Sequence, residues 1–370
     1  MDIVLPDYSN SILGIPNSIM AHYGAEPINK TLSLLDSRLA ERFKNVAFII
    51  FDGMGSDMLE ANIPNSFLCR HKVADISSVY PSTTTAAITC FSSGLSPIEH
   101  GWLGWSCWFE EIGKAVDLFS NKVHGSEKQA SREPLASKYM PFKPIEEKIA
   151  EVASDLEICR VSPFSQQHKA YDIGSLCSST SRLLKKEGNR LILAYSDQPD
   201  HSMHEKGCYA PSIKSMMQQC SRAVEDLCEG AKDTLFIITA DHGLTDVETL
   251  CIEDYPEINE CLSMPPTLES RCISLFVKEK FREAFPEKWR EVFEDRFILM
   301  AKWEALETEL FGPGTPHAKS LDFLGDYIAL AVSDICITSR GEDGSYNDFA
   351  AAHAGLSMKE MVVPLIVVES

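Results

Sequence analysis

Residues 234–247, TLFIITADHGLTDV, combine a buried strand with two side chains of metal-binding type. The first half is apolar and ends at Asp241, His242 and Gly243, a pattern typical of a parallel strand in a protein interior. Open α/β sheets place their sites at the carboxyl ends of such strands, where this carboxylate and imidazole stand together. Both groups are metal ligands by type. An aspartate that caps a turn beside a surface histidine would give the same pair, so both interpretations stay open.

The composition limits the kinds of partner that the chain can have. Its 370 residues are 44% hydrophobic and 24% charged, which suits one large α/β domain or a domain with an insertion. The formal net charge of -20 argues against a nucleic-acid polymer as partner, because phosphate backbones are bound by lysine and arginine. A small anionic substrate held by a metal remains compatible with this charge. The sequence gives no indication of the oligomeric state.

Cysteine usage and hydropathy predict the cellular location. Twelve cysteines are scattered without a CxxC pair, and the first residues lack the basic and apolar regions of a signal peptide. We therefore expect reduced thiols and a cytoplasmic protein. No segment approaches the ~18 apolar residues of a membrane span, so no membrane association is expected.

Two more apolar strands are followed by reactive side chains. Residues 45–51, NVAFIIF, lead directly into Asp52, which could instead cap the helix that follows. A strand at 73–80 leads into Ser82 and the threonines at 83–85, where a helix is predicted to begin. A hydroxyl at a helix N-terminus suits attack on a bound phosphate, because the free N–H groups and the dipole favour an anion. One of these hydroxyls could equally be a helix cap.

The densest group of potential ligands follows a predicted strand at 190–195. Asp200 and His204 are four residues apart, which places them on one face of a helical turn, but Asp197 and His201 share that spacing. The spacing alone leaves the choice between the two pairs open. His353 lies in a loop of small residues before a last apolar strand at 361–368. By itself it reads as a structural histidine, but it would complete a site that lacks one imidazole.

The order of these elements predicts an α/β fold with three α/β/α layers around a mostly parallel central sheet. A helix at 211–230 would return the chain to the strand at 234–240. Prolines and a Glu/Lys-rich helical stretch, flanked by candidate strands at 272–277 and 327–332, mark residues 250–345 as an inserted α+β subdomain covering one end of the sheet. The predicted metal-hydrolase core comprises residues 1–249 and 346–370.

Seven side chains at predicted strand ends form a candidate site: Asp52, Thr84 or a neighbouring hydroxyl, Asp200, His204, Asp241, His242 and His353. Two zinc ions with three ligands each would use the carboxylates and imidazoles fully and leave open positions for a substrate. Three aspartates against two divalent cations leave a net charge of about +1. Such a site attracts a phosphodiester monoanion and lowers the pKa of a coordinated hydroxyl.

The motifs resemble those of the alkaline phosphatase superfamily, and within it the nucleotide pyrophosphatase/phosphodiesterase, or type I phosphodiesterase, branch. The matching segments are Ile50-Phe51-Asp52-Gly53, Tyr80-Pro81-Ser82-Thr83-Thr84, Gly94-Leu95-Ser96-Pro97, Glu99-His100-Gly101, Tyr195 with Pro199-Asp200, His204 and Gly207, Thr239-Ala240-Asp241-His242-Gly243, and His353-Ala354-Gly355. The order and spacing of these separate motifs make the resemblance specific.

The resemblance implies roles for individual residues. It selects Thr84 as the nucleophile, and Asp200 with His204 over the alternative pair. One zinc would be held by Asp200, His204 and His353. The other would be held by Asp52, Asp241 and His242 and would also bind Thr84. Manganese and iron are also accepted by aspartate and histidine ligands.

The implied activity is hydrolysis of phosphodiester or pyrophosphate bonds in a small, nucleotide-like substrate through a covalent phospho-threonine. Two departures bear on the substrate: Ala87 replaces an asparagine that helps hold the phosphoryl group in nucleotide-cleaving relatives, and Thr85 stands where phosphomonoesterases carry an arginine. Alternatives are a related enzyme for phosphonates or phosphomonoesters, and a metal-stabilised binding protein without turnover. Trp102, Trp105 and Trp108 could form an aromatic shelf or pack in the core.

Overall fold

Two seven-stranded sheets organise the chain, of which the computed structural model describes residues 2–41 and 43–370. In chain order, the strands are β1 (Asn45–Phe51), β2 (Lys72–Ser77), β3 (Ser106–Phe109), β4 (Lys114–Asp117), β5 (Lys122–Val123), β6 (Leu156–Ser162), β7 (His168–Lys169), β8 (Asn189–Ser196), β9 (Thr234–Thr239), β10 (Thr245–Asp246), β11 (Glu248–Cys251), β12 (Thr267–Leu268), β13 (Cys272–Leu275), β14 (Phe297–Ala301), β15 (Tyr327–Ala331), β16 (Ile335–Thr338), β17 (Ala351–Ala352) and β18 (Val362–Glu369).

The helices alternate with these strands along much of the chain. They are α1 (Gly14–His22), α2 (Ser33–Leu39), α3 (Ser56–Asn62), α4 (Phe67–Arg70), α5 (Thr84–Ser93), α6 (Pro97–His100), α7 (Leu135–Tyr139), α8 (Ile145–Ala150), α9 (Ile173–Leu184), α10 (Asp200–Lys206), α11 (Pro211–Glu229), α12 (Pro256–Asn259), α13 (Phe285–Phe293), α14 (Lys302–Glu307), α15 (Ala318–Phe323) and α16 (Met358–Met361). Short 3-10 turns cover Ile252–Asp254, Glu279–Phe281 and Glu294–Arg296. Within the described residues, none of the helices combines the length and apolar character needed to cross a membrane.

The central sheet has the strand order β2-β18-β9-β1-β8-β6-β7. Its pairings are parallel except those of β18, which runs antiparallel to both of its neighbours. All residues of β1 and β9 are buried, which explains their continuous apolar sequences, since helices cover both faces of such strands. The predicted α/β class with a mostly parallel central sheet is confirmed.

The register of the three middle strands brings their carboxyl ends level. Phe51 at the end of β1 lies opposite Ser196 of β8, and Ile50 lies opposite Thr239 of β9. The residues that follow these strands therefore emerge at one edge of the sheet. This is the edge where open α/β sheets carry their sites.

The second sheet is antiparallel, with the order β14-β15-β13-β12-β3-β4-β5. The predicted strands at 272–277 and 327–332 are present as β13 and β15, which pair with each other. The sheet also takes in β3, β4 and β5 from residues 106–123, so residues 250–345 do not build it alone. The division into a core and an insertion stays a prediction.

A buried ion pair joins the second sheet to the loop that carries His353. Arg271, next to β13, donates from Nε and Nη2 to the two carboxylate oxygens of Glu360 at 2.7 and 2.8 Å, and both side chains are fully buried. Glu360 also accepts hydrogen bonds from the backbone N–H groups of Gly355 and Ser357. The pair therefore anchors the chain on the carboxyl side of His353.

Replacing Arg271 with alanine leaves the Glu360 carboxylate buried without its cation, so we expect Arg271→Ala to lower the free energy of unfolding by about 3–5 kcal/mol. Urea denaturation of both proteins measures this difference. The matched control is Arg38→Ala, which removes an exposed ion pair with Glu369 and should cost no more than about 1 kcal/mol. Equal losses in the two variants would contradict the prediction.

Candidate active site at the carboxyl edge of the central sheet

The three aspartates of the site come from three adjacent strands. Asp52 directly follows β1, Asp241 follows β9 after a single residue, and Asp200 begins α10 after β8. All three are buried. Gly53 permits their close approach: its φ is +73°, and a Cβ there would lie 2.8 Å from the Cβ of Asp200. The Gly53 N–H donates to Asp241 Oδ1 at 3.0 Å.

The helix α10 brings Asp200 and His204, the pair selected by the resemblance, into contact. Asp200 Oδ2 and His204 Nε2 lie 3.3 Å apart across one helical turn. His204 directs its other ring nitrogen to the backbone carbonyl of Ala351 at 2.8 Å, so its Nε2 faces the carboxylate. His201 is an exposed residue of the same helix.

His353 reaches the site because β10 and β17 pair antiparallel. This pairing brings the loop after β17 beside the chain that leaves β9. The ring centroid of His353 lies 4.0 Å from that of His242 and 5.2 Å from that of His204. Three imidazoles that are far apart in the sequence thus form one cluster.

Thr84 is the first residue of α5, and its hydroxyl faces the aspartates. Its Oγ1 lies 3.3 Å from Asp52 Oδ1 and 3.1 Å from His242 Nε2. The preceding Thr83 occupies the N-cap position but does not cap the helix, because its hydroxyl donates to Glu269 instead. The N-terminal N–H groups of α5 therefore receive no side-chain cap, and all seven predicted side chains meet at this edge.

The residues present fit divalent cations. Two sets have ligand atoms within 4.8 Å of one another, namely Asp200 with His204 and His353, and Asp52 with Asp200 and His242. His242 Nε2 also lies 3.5 Å from Asp241 Oδ2. Among the described residues, three buried ligand atoms have no hydrogen-bond partner: Asp200 Oδ1, Asp241 Oδ2 and His353 Nδ1. Since buried polar atoms are normally satisfied, these atoms indicate positions for metal bonds.

The electrostatics of the cluster reflect its concentrated negative charge. Burial, together with the charges of Asp241 and Asp200, raises the pKa of Asp52 well above its ordinary value. Burial would also raise the pKa of Asp200, but the adjacent His204 outweighs it and lowers that pKa. Burial would lower the pKa of His204, but Asp200 reverses this and raises it to about 9. Without metals, a proton held by His204 compensates part of the charge.

Two further residues enter the site that the sequence did not single out for a role. Tyr195 on β8 donates its hydroxyl to Asp52 Oδ2. Its position in the matched motif was the only signal for it. Glu269, at the end of β12, accepts hydrogen bonds from Thr83 and from the backbone N–H of Trp105, and burial raises its pKa to about 7. No sequence motif marks Glu269.

The three tryptophans differ in burial. Trp102 is buried, and its indole N–H donates to the carbonyl of Met140 at 3.1 Å. Trp105 is 44% exposed and meets the exposed ring of Phe119 edge-on. Trp108 lies half-buried on β3.

The profile of the type I phosphodiesterase/nucleotide pyrophosphatase family matches residues 46–296, which is more than half of the chain. The chain belongs to this family. The match confirms the resemblance read from the motifs, and with it the prediction of a hydrolase of the phosphodiesterase type. No curated protein matches the chain in sequence.

Solved structures of two kinds share the fold of this family member. Murine ectonucleotide pyrophosphatase/phosphodiesterase 5 superposes with a TM-score of 0.64 and 15% identity, over 89% of this chain and 88% of the mouse chain. Phosphonoacetate hydrolase from Sinorhizobium meliloti 1021, in complex with phosphonoformate, gives 0.62 and 14% over 87% and 89%. At such identities the similarity demonstrates the fold alone.

The hydrogen bond from Tyr195 to Asp52 should strengthen metal binding, because it orients a ligand carboxylate. We expect Tyr195→Phe to weaken the affinity for one zinc ion by about 10–100-fold. Competition with a chromogenic chelator measures this affinity. Tyr209→Phe is the control, since its hydroxyl donates to Asp57 outside the site. Unchanged affinity in Tyr195→Phe would show that the hydrogen bond does not orient a ligand.

The stabilisation by metal should increase with pH. The pKa of His204 is raised from 6.5 to about 9 in the metal-free fold, so its stabilising contribution is complete below pH 6.5 and is lost as the pH rises through 9. Zinc needs the neutral imidazole and therefore binds better over the same interval. We expect the difference in Tm between zinc-loaded and chelator-treated protein to increase from pH 6.5 to pH 9. A constant or decreasing difference would contradict the proposed ligation by His204.

Proposed function

We propose that this protein is a two-zinc phosphodiesterase that forms a covalent phospho-threonine at Thr84. The observation that carries the proposal is the position of the Thr84 hydroxyl, within 3.1–3.4 Å of both Asp52 and His242 at the open N-terminus of α5. The ligands would be Asp200, His204 and His353 for one zinc and Asp52, Asp241 and His242 for the other. Bound there, the zinc ions would act as Lewis acids and lower the pKa of the Thr84 hydroxyl.

The residues of the chain support each part of this reaction. Thr84 Oγ attacks phosphorus as the ester alcohol departs, and water then cleaves the phospho-threonine to restore the hydroxyl and release a phosphomonoester. Asp52 and His242 lie within hydrogen-bond distance of Thr84 Oγ1, so they hold the hydroxyl in position. The uncapped N–H groups of α5 offer donors to a phosphoryl oxygen, which compensates for the alanine at position 87.

Charge favours a phosphodiester over a phosphomonoester as substrate. Within residues 2–41 and 43–370, no lysine or arginine pairs with any of the seven site side chains. A phosphodiester carries one negative charge, whereas a phosphomonoester carries nearly two and is usually bound by a guanidinium or ammonium group. We therefore infer a small phosphodiester or nucleotide-like substrate.

The structures of relatives support this proposal and also raise a second one. One murine structure is of an inactive threonine-to-alanine variant in complex with AMP, which suits a nucleotide-like substrate and a threonine nucleophile here. The similarity to phosphonoacetate hydrolase makes cleavage of a phosphonate the second candidate. The missing cationic partner disfavours it, because such substrates carry a carboxylate in addition to the phosphonate.

Removing the Thr84 hydroxyl should abolish turnover. We expect Thr84→Ala to lower kcat for bis(p-nitrophenyl) phosphate by at least about 1,000-fold without loss of zinc, because the nucleophile itself is gone. Thr85→Ala is the matched control: it removes the neighbouring hydroxyl, which is buried and has no hydrogen-bond partner in the described chain. Activity should remain within a few-fold of wild type in that variant.

Parallel assays with p-nitrophenyl phosphate and phosphonoacetate decide between the candidate substrates. We expect the diester to give the highest kcat/KM. Preference for the monoester or the phosphonate would reject the diester assignment. If the zinc-loaded protein cleaves none of the three, the result favours the alternative of a binding protein without turnover.

A further inference from the structure

Glu269 follows β12 of the second sheet, and its carboxylate contacts the residue that precedes the nucleophile. Its Oε1 accepts a hydrogen bond from the hydroxyl of Thr83 at 2.6 Å and from the backbone N–H of Trp105 at 2.7 Å. Thr83 immediately precedes Thr84. Burial raises the pKa of the Glu269 carboxyl to about 7, and the hydrogen bonds from Thr83 and Trp105 and the nearby imidazoles of His242 and His204 act in the opposite direction. Glu269 is therefore part of the wall of the site, although it belongs to neither predicted metal set.

The backbone holds this carboxylate in place by a strained conformation. The preceding Leu268 has a φ of +75°, which is costly for a branched side chain. Leu268 pairs with Ser106 of β3 and with Ile273 of β13, which fixes it from both sides. Gly104 packs so closely that a Cβ there would lie 2.8 Å from the Cα of Leu268. Such strain persists where the surrounding structure dictates it, and functional sites are where it concentrates.

Uncharged groups hold the Glu269 carboxylate. Both of its hydrogen bonds come from uncharged donors, a hydroxyl and an amide. In the part of the chain that the structure describes, Glu269 forms no ion pair with lysine or arginine, and its Oε2 accepts no hydrogen bond. Because burial raises the pKa of Glu269 to about 7, this carboxylate is ionised at about pH 9, where it adds negative potential beside Thr83 and hence near the Thr84 nucleophile.

We propose that Glu269 is a specificity-determining residue, which selects monoanionic phosphodiesters by repelling the second charge of a phosphomonoester. The proposal rests on the proposed function of the site. The repulsion acts on product as well as on substrate, because hydrolysis of a diester yields a phosphomonoester dianion. Glu269 therefore also promotes product release and weakens inhibition by inorganic phosphate.

Glu269→Gln tests this role, because the amide keeps the volume and an oxygen acceptor for Thr83 and Trp105 while removing the charge. The measurements are kcat/KM for bis(p-nitrophenyl) phosphate and for p-nitrophenyl phosphate, and the inhibition constant of inorganic phosphate, all on the zinc-loaded full chain at about pH 9. We expect the diester-to-monoester ratio and the inhibition constant each to fall about tenfold, as like-charge repulsion is removed. Glu269→Asp keeps the charge and should keep the wild-type ratio.

Thr83→Val separates charge from positioning. It removes the hydrogen bond to Glu269 but leaves the carboxylate, so both esters should slow by the same factor and their ratio should stay within about twofold. Glu269→Ala removes the same charge as Glu269→Gln, so we expect the same fall in the diester-to-monoester ratio. The test therefore does not depend on the folding of a single variant.

Three results would overturn the proposal. An unchanged ratio in both Glu269→Gln and Glu269→Ala would show that the charge does not select the substrate. A parallel loss for both esters in these variants, as in Thr83→Val, would make Glu269 a positioning residue only. If the wild-type protein cleaves neither ester, the proposed function itself fails. If instead the wild type cleaves the diester but the diester-to-monoester ratio does not change in the Glu269 variants, only the role of Glu269 is rejected.

Discussion

The burial of three aspartates at the ends of adjacent strands is the constraint on which the rest of this structure depends. Asp52, Asp200 and Asp241 meet because β9, β1 and β8 are neighbours whose ends are level. Concentrated buried carboxylates are costly unless cations compensate them. The histidines supply part of this compensation, and the unsatisfied ligand atoms indicate that metals supply the remainder. The same charges that destabilise the metal-free fold thus create its chemistry.

Long-range connections keep the ligands in place around this charge. The β10–β17 pairing brings His353 to the cluster, and the Arg271–Glu360 pair fixes the chain that follows it. The β10–β17 pairing is a two-stranded sheet of its own, whereas the Arg271–Glu360 pair links the second seven-stranded sheet to α16, so the second sheet helps to support the site.

The N-terminus of α5 shows how one hydrogen bond can serve two purposes. Had Thr83 capped its own helix, its hydroxyl would have used one of the free N–H groups. Instead it donates to Glu269, which leaves the helix end open to a phosphate oxygen and holds a carboxylate nearby. Attraction from the helix end and repulsion from Glu269 together suit an anion with a single charge.

The sequence by itself determined the buried strands and the aspartates and histidines that follow them, because apolar runs and the residues after them are local features. It left the choice between Asp200 with His204 and Asp197 with His201 open, and the motifs of the family resolved it. Only the tertiary structure revealed that Asp200 lies close to both ligand groups, that Tyr195 contacts Asp52, and that residues 106–123 share a sheet with residues 267–331. Glu269 could not be found from the sequence, because its role arises from the pairing of strands that lie more than 150 residues apart along the chain.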